Sequence, residues 1–100
     1  MLADVPRYPV TPEVRVVCSD ERKFEVVAAL VEEFKRDHDV IDVDGARVLF
    51  DDGWGLVRAS NTQPALVLRA ESTTTEGLAR IKQTLERALA RYADAGPVRW

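Results

Sequence analysis

The fold of this chain is decided by residues 40–70, VIDVDGARVLFDDGWGLVRASNTQPALVLRA. Apolar, β-branched and aromatic residues alternate there with polar ones in short runs, which is the pattern of strands with one buried face. Asp44-Gly45 and Asp51-Asp52-Gly53 separate the first three runs, and glycine accepts the positive φ of a tight turn at little cost. The stretch therefore predicts consecutive antiparallel strands at residues 40–43, 46–50, 53–60 and 65–70.

A strand and a helix are predicted before this stretch. Residues 13–18, EVRVVC, alternate well enough for a short strand. The helix that follows is expected to be capped by Ser19 or Asp20, because their side chains can accept a hydrogen bond from a helix N-terminal N–H, and to run to about residue 36. Its apolar residues recur at helical spacing, so the predicted buried side consists of Phe24, Val27, Leu30, Val31 and Phe34.

A second helix is predicted at the end of the chain. Thr73 and Glu76 have the spacing of a capping box, in which each side chain bonds a backbone N–H of the other residue. Gly96-Pro97 should end the helix, because proline cannot continue it. The predicted buried stripe consists of Leu78, Ile81, Leu85, Leu89 and Tyr92. The order β-α-β4-α predicts an α+β fold, with two helices packed on one face of a mostly antiparallel sheet.

Composition sets limits on the partners. One hundred residues correspond to about one domain, and the 46% of apolar residues suffice for a core. The net charge of -3 argues against a bulk electrostatic grip on nucleic acid or an anionic membrane. Any anion site must therefore be local. The single cysteine, Cys18, excludes an internal disulfide.

Three prolines, Pro6, Pro9 and Pro12, lie in the first twelve residues. Each removes a backbone donor, so residues 1–12 are interpreted as an interdomain linker. The domain itself is expected at residues 13–96, with a C-terminal tail at 97–100. The sequence has no apolar run of signal-peptide or membrane-spanning length, and a cytoplasmic location is expected by default.

The loop between the last two predicted strands, Arg58-Ala59-Ser60-Asn61-Thr62-Gln63-Pro64, is the candidate binding site. A guanidinium can bond two phosphate oxygens at once, and the Ser60 and Thr62 hydroxyls and the Asn61 amide add donors. Consecutive N–H groups of such a loop can also converge on an anion. Serine, asparagine and threonine are equally common in plain turns, where they bond their own backbone. The residues alone leave both interpretations open.

A family resemblance favours the binding site. The segment GWGLVRASNTQPALVLRAES, preceded by DGARVLFDD, closely resembles the last domain of the α-D-phosphohexomutases. The upstream PEVRVVCSDERKF and LADVPRYPVTPE resemble the first strand of that domain and the junction before it. The Ser-Asn-Thr loop resembles the phosphomannomutase/phosphoglucomutase branch, whereas phosphoglucosamine and acetylglucosamine mutases more typically have Ser-Gly-Thr. The resemblance implies a TBP-like fold.

The resemblance also implies a role for the loop. Arg58, Ser60, Asn61 and Thr62 would hold the phosphate of the sugar that is not being transferred, while hexose 1-phosphate and 6-phosphate interconvert through a bisphosphorylated sugar. The phosphoserine, the Mg²⁺-binding acidic loop and the sugar-reading loop of the family belong to other domains. No catalytic or metal-binding residue and no cofactor are therefore expected in this chain. It is interpreted as part of a larger enzyme and is expected to be inactive alone.

Residues outside the loop receive plainer interpretations. Arg69 is a possible secondary phosphate ligand, although an ion pair with Glu71 or another acidic residue is the favoured expectation, and the same holds for Arg47. Trp54 is expected in the core or on a sheet face. His38 is expected at a solvated helix end without a metal.

The expected partners are a mannose or glucose phosphate and the other domains of the parent enzyme, without nucleic acid or membrane. One alternative is the corresponding domain of a phosphoglucosamine mutase-type relative. The alternative from another class is a stand-alone module that binds phosphate, nucleotide or RNA, which would need a basic face with exposed aromatic residues.

Overall fold

The computed structural model describes residues 9–43 and 45–100. Five antiparallel strands form one sheet in the order β1-β5-β4-β3-β2. The elements along the chain are β1 (Val14–Val17), α1 (Lys23–Phe34), β2 (Asp39–Ile41), β3 (Ala46–Phe50), β4 (Gly53–Ala59), β5 (Ala65–Ser72) and α2 (Thr75–Leu89). The predicted α+β class and the order β-α-β4-α are confirmed.

One face of the sheet carries the core, and the other face, called the open face below, is not covered by α1 or α2. Val57 of β4 pairs with Leu68 of β5 and with Ala46 of β3, and all three are buried beneath the helices. Their neighbours along each strand point to the opposite face because side chains alternate. The open face therefore includes Arg15, Arg47, Trp54, Leu56, Arg58, Val67 and Arg69.

The helices cover the core face side by side. Leu30 of α1 and Leu85 of α2 are fully buried in the same apolar cluster as Val48 and Leu66. A Cβ atom added at Gly55 would lie 3.0 Å from Ile81 and 3.1 Å from Leu85. The missing side chain at this position of β4 therefore lets α2 approach the sheet closely.

The start of α1 differs from the prediction. The helix begins at Lys23, and its N-terminal cap, Arg22, makes no side-chain capping bond, so the expected cap at Ser19 or Asp20 is wrong. The Ser19 carbonyl instead accepts hydrogen bonds from the N–H groups of Arg22 and Lys23. This turn sets a helix phase in which positions 23, 26, 27, 30, 31 and 34 face inward. Phe24, which was expected to be buried, is consequently 58% exposed.

The second helix is also shifted and shorter. Thr74 rather than Thr73 is its N-cap, and the Thr74 hydroxyl accepts a bond of 2.9 Å from the Gly77 N–H. Ile81, Leu85 and Leu89 are buried as predicted, whereas Leu78 and Tyr92 are only half-buried.

The chain leaves α2 at Leu89, before the predicted stop at Gly96-Pro97. Ala95 bridges to Cys18, and the Gly96 N–H donates a bond of 2.8 Å to the Val17 carbonyl. The returning segment thus satisfies part of the outer edge of β1. None of the helices in the described ranges has both the length and the apolar character needed to cross a membrane.

The segment before β1 is attached to the sheet. The Thr11 N–H donates to the Ala70 carbonyl at 2.8 Å, and the Ala70 N–H donates to Thr11 Oγ1 at 2.9 Å. Val10 forms an antiparallel bridge with Glu71. Residues 9–12 of the predicted linker therefore lie along β5, while residues 1–8 of that prediction lie outside the described part of the chain.

Candidate functional site

The loop between β4 and β5 is a closed turn. The Ser60 N–H donates to the Ala65 carbonyl at 2.9 Å. Ser60 Oγ accepts bonds from the N–H groups of Thr62 at 3.3 Å and of Gln63 at 3.2 Å. Ser60 is buried. Its bonds form the turn that the plainer interpretation of the sequence predicts. Its hydroxyl hydrogen is not used in these two bonds and can still be donated.

The same bonds occupy most of the loop's backbone donors. The N–H groups of Ser60, Thr62 and Gln63 all donate inside the loop, so in this structure these three groups do not converge on an external anion. The side chains of Asn61 and Thr62 are exposed. Donors for a ligand would therefore come mainly from side chains, which the turn holds at one end of the sheet.

Arg58 enters the site from the open face of β4. It pairs with Val67 across the sheet, and its Nη2 lies 3.7 Å from Glu13 Oε2. Arg15 lies at the same distance of 3.7 Å from the other oxygen of Glu13. These pairs are partly exposed, so solvent screens them and they orient Arg58 only weakly. The guanidinium consequently keeps its capacity to bind an external anion.

Lys23 at the start of α1 and Cys18 after β1 donate hydrogen bonds to carbonyl groups of the loop. Lys23 is only 5% exposed, and its Nζ donates to the Gln63 carbonyl at 3.1 Å and to Asp20 Oδ1 at 2.8 Å. The Cys18 N–H donates to the Pro64 carbonyl at 3.0 Å. Sequence reasoning missed Lys23, because nothing in a lysine at the start of a helix indicates that it is buried.

A cleft of about 300 Å³ opens beside Arg58 and Asn61 on the open face. Gly45 lies on its wall with φ at 139°. A Cβ atom added there would be 2.6 Å from the Val57 carbonyl oxygen and 2.7 Å from Arg58 Cβ. Only glycine lets this turn approach Arg58 so closely. The remaining lining residues are Ile41, Val43, Arg47 and Leu56.

Two further arginines flank Leu56 on the open face, Arg47 of β3 and Arg69 of β5. The guanidinium carbon of Arg47 lies over the Trp54 ring, 4.7 Å from its centroid. Arg69 is exposed. Among the residues that the structure describes, neither arginine has a carboxylate within 4.0 Å, so the ion pair expected between Arg69 and Glu71 is not formed.

His38 and the described acidic residues form no metal site. His38 is half-buried between the rings of Phe34 and Phe50, with centroid distances of 6.0 and 4.8 Å, so the expected solvated position is wrong. Within residues 9–43 and 45–100, no three His, Cys, Asp or Glu side chains come together in a way that could hold a metal ion. The described residues thus do not fit a Mg²⁺ site.

The comparison with known families assigns the domain. The family model described as "Phosphoglucomutase/phosphomannomutase, C-terminal domain" matches residues 13–88. This chain belongs to that family. The resemblance noted in the sequence is thereby confirmed, and the match includes β1 to β5, the loop at 58–64 and most of α2.

Curated relatives in the phosphoglucomutase/phosphomannomutase family have similar sequences. The chain is 40% identical over 89 residues to the phosphomannomutase/phosphoglucomutase of Pseudomonas aeruginosa, covering 88% of this chain and 19% of that protein. It is 42% identical over 96 residues to the Pseudomonas putida protein of the same name, covering 91% of this chain and 20% of that protein. The chain thus spans about a fifth of the length of these relatives.

A third relative carries a different name. The chain is 44% identical over 77 residues to the probable phosphoglucosamine mutase of Methanopyrus kandleri, covering 76% of this chain and 17% of that protein. Identity over the domain therefore does not by itself separate the branches of the family.

A solved structure has the same architecture. The phosphoglucomutase/phosphomannomutase family protein of Burkholderia thailandensis superimposes with a TM-score of 0.69 at 33% sequence identity. The match covers 97% of this chain and 21% of the Burkholderia chain. The fold described above is therefore that of the family's C-terminal domain.

Proposed function

We propose that this domain binds a substrate phosphate for a phosphohexomutase that interconverts hexose 1-phosphate and hexose 6-phosphate through a bisphosphorylated sugar. The observation that carries the proposal is the cleft that Arg58 and Asn61 line together, next to the buried Ser60. It places a guanidinium and an amide at the end of a rigid sheet. These are the donors that a phosphate dianion requires.

Each member of the loop has its own part. Arg58 supplies positive charge and can bond two phosphate oxygens at once. The Ser60 hydroxyl both shapes the turn and donates its remaining hydrogen, while Asn61 and Thr62 donate from exposed side chains. Arg69 is a possible secondary ligand, since it lies on the same face, diagonally across the strand pair from Arg58.

The phosphate bound here is the one that is not transferred. Holding a remote group supplies binding energy that orients the reacting end of the substrate. The site must accept the phosphate of either isomer, because the bisphosphorylated sugar turns over between the half-reactions. We further propose that the domain moves on a hinge before β1 to close the site and exclude water.

The chemistry itself is assigned to other domains of the parent enzyme. A phosphoserine and Mg²⁺ would act there, as the family resemblance implies. The described residues of this domain offer no acidic cluster for the ion. The substrate and those other domains are the proposed partners.

A titration of the 100-residue chain tests the proposal. Amide chemical shifts are followed during addition of glucose 1-phosphate, inorganic phosphate and a short RNA, each at the same ionic strength. We expect shifts at residues 58–62 with the sugar phosphate, at millimolar affinity, since one domain supplies only part of a closed site. Broad shifts over the open face with RNA and none with phosphate would instead support a nucleic-acid-binding module.

The phosphoglucosamine mutase branch is the second candidate, favoured by the Methanopyrus relative at 44% identity. Asn61 supports the phosphomannomutase/phosphoglucomutase branch, because the Ser-Asn-Thr loop of this chain resembles the loop of that branch. The test is turnover by the complete parent enzyme with glucose, mannose and glucosamine phosphates. A preference for the glucosamine phosphate would assign the second branch.

A further inference from the structure

The cleft on the open face is lined by a second arginine, Arg47, in addition to Arg58 at the start of the loop. Arg47 lies in the middle of β3, where it pairs with Leu56 of β4 and Ile41 of β2. All three residues line the cleft together with Arg58 and Asn61. Arg47 is 11 positions before Arg58 in the sequence, and only the pairing of β3 with β4 brings both to one cleft.

The position of Arg47 is fixed by Trp54. The guanidinium carbon is 4.7 Å from the ring centroid, which is a cation–π distance. An aromatic ring contacts the flat face of a guanidinium and takes up none of its N–H donors. The contact therefore restricts the side chain without occupying it with a hydrogen-bond acceptor, so its N–H groups stay available to an anion.

The surroundings of Arg47 suit an organic anion. Leu56 is 9% exposed and forms the floor between Arg47 and Arg58, and Ile41 and Val43 add apolar wall. A cleft with two guanidinium groups and an apolar floor matches a phosphate ester, whose phosphate needs charge and whose carbon part prefers low polarity.

We propose that Arg47 is a second phosphate-binding residue of this site, and that Trp54 is the positioning residue that holds it toward the cleft. The inference rests on the proposed function, since it assigns one more residue to the same anion. It extends the site from the loop onto the neighbouring strand β3. The ligand class is a sugar phosphate or another small phosphate ester.

The first experiment compares matched charge removals. Glucose 1-phosphate binding is measured by amide-shift titration for Arg47→Gln and for the control Arg15→Gln, which removes a charge from the same open face outside the cleft. We expect Arg47→Gln to weaken binding about threefold to tenfold, as for the loss of a partly exposed charge-assisted bond, and Arg15→Gln to change it less than about twofold. Arg47→Lys should recover part of the affinity.

The second experiment tests the role of Trp54 through a double-mutant cycle. Trp54→Leu is measured in the native background and in the Arg47→Gln background. If Trp54 acts by holding Arg47, its replacement weakens binding about twofold to fivefold with Arg47 present and has little effect without it. A merely structural effect of Trp54 would be equal in the two backgrounds. Trp54→Phe, which keeps a ring, serves as the variant that best preserves folding.

The outcomes separate this inference from the proposed function. Equal, small effects of Arg47→Gln and Arg15→Gln, with a clear loss in Arg58→Gln, overturn the role of Arg47 and leave the proposed function standing. No phosphate binding by the native chain overturns both. A selective loss in Arg47→Gln, together with coupling to Trp54, supports the inference.

Discussion

Arg58 is the residue on which the candidate site depends at the smallest scale. Its backbone and Cβ lie against Gly45, its guanidinium lies 3.7 Å from Glu13, and its side chain lines the cleft. The neighbouring Ser60 uses its oxygen to shape the loop. Residues two positions apart thus serve binding and folding, so each variant must be measured for phosphate affinity and for stability.

Replacing Arg58 is expected to affect binding more than replacing Arg69. Arg58→Ala should weaken glucose 1-phosphate binding about tenfold or more, because a charge-assisted bond contributes roughly 1.5–3 kcal/mol. Arg69→Ala removes an exposed arginine that is not among the cleft-lining residues. Amide-shift titration of both variants provides the measurement. Equal losses would show that Arg69 contributes as much as Arg58.

Gly45 is expected to tolerate no side chain. Gly45→Ala places a Cβ at a φ of 139° and 2.6 Å from the Val57 carbonyl oxygen, so we expect a loss of about 1–3 kcal/mol in the free energy of unfolding. Phosphate binding should weaken too, because Arg58 must shift. Gly96→Ala is the matched control, since its Cβ would have no neighbour nearer than 3.5 Å. The same stability for both variants in urea would contradict this prediction.

Cys18 is expected to be unreactive in the folded protein. Burial, and secondly the carboxylate of Asp94, raise the pKa of its thiol above the ordinary value. Only the thiolate is nucleophilic, so labelling by a thiol reagent at pH 8 should be far slower than in the urea-unfolded chain. Since unfolding lowers this pKa, the contribution of Cys18 to stability is complete below the pKa of the unfolded thiol and decreases as pH rises above it. Rapid labelling without denaturant would contradict the burial.

At the scale of elements, the loop is positioned by two neighbours rather than by its own turn alone. The carbonyl groups of Gln63 and Pro64 accept bonds from Lys23 at the start of α1 and from Cys18 after β1. The loop residues were identifiable from the sequence because a turn between two strands has a local signature. Its anchor was not, because the 40 positions between Lys23 and Gln63 are bridged only in the folded chain.

Removing the Lys23 ammonium is expected to loosen the loop. Lys23→Met keeps the length of the side chain but loses both bonds, so we expect faster amide exchange at Thr62 and Gln63 and a loss of roughly 1–3 kcal/mol in stability. Asp20→Asn is the control, because it retains the bond from Lys23 to the Gln63 carbonyl. Unchanged exchange at both amides in Lys23→Met would show that the anchor is dispensable.

The helix boundaries illustrate what local patterns could predict. The apolar spacing identified both helices and placed Leu30, Leu85 and Leu89 correctly in the core. The capping positions were wrong by one residue at Thr74 and by two or more at Arg22. Ser72, Thr73 and Thr74 all precede α2 and each can cap a helix, whereas α1 starts after Arg22 without using the nearby Ser19 or Asp20 side chain as a cap. The choice follows from tertiary contacts, such as the bond from the Thr73 N–H to the Asp52 carbonyl.

At the scale of the whole molecule, charge is distributed unevenly. The chain has 17 acidic and 14 basic residues, so its net charge is negative. Yet Arg15, Arg47, Arg58 and Arg69 all lie on the open face of the sheet. Long-range attraction of polyanions is therefore weak, while a small anion at this face finds positive charge locally.

The chain alone is expected to show no mutase turnover. It spans about a fifth of the length of its relatives, and its described residues bring together no metal-binding cluster. A coupled assay that detects glucose 6-phosphate formed from glucose 1-phosphate, with Mg²⁺ and glucose 1,6-bisphosphate added, provides the measurement. The complete parent enzyme serves as the positive control. Turnover by the purified 100-residue chain would refute the assignment of the chemistry to other domains.

The sequence by itself determined the strands, the helices and the loop with its candidate ligands. These features depend on the period of apolar residues and on turn chemistry, and both signals come from residues that are close together in the sequence. Arg58, Ser60, Asn61 and Thr62 could therefore be named, together with the family that their segment resembles.

Only the tertiary structure decided how these parts meet. It placed β1 next to β5, buried Lys23 beneath the loop, returned the C-terminal segment to the edge of β1, and brought Arg47 on Trp54 to the cleft beside Arg58. Each of these contacts joins residues that are separated along the chain. Their energies depend on packing and desolvation in the folded state, and no local pattern in the sequence records them.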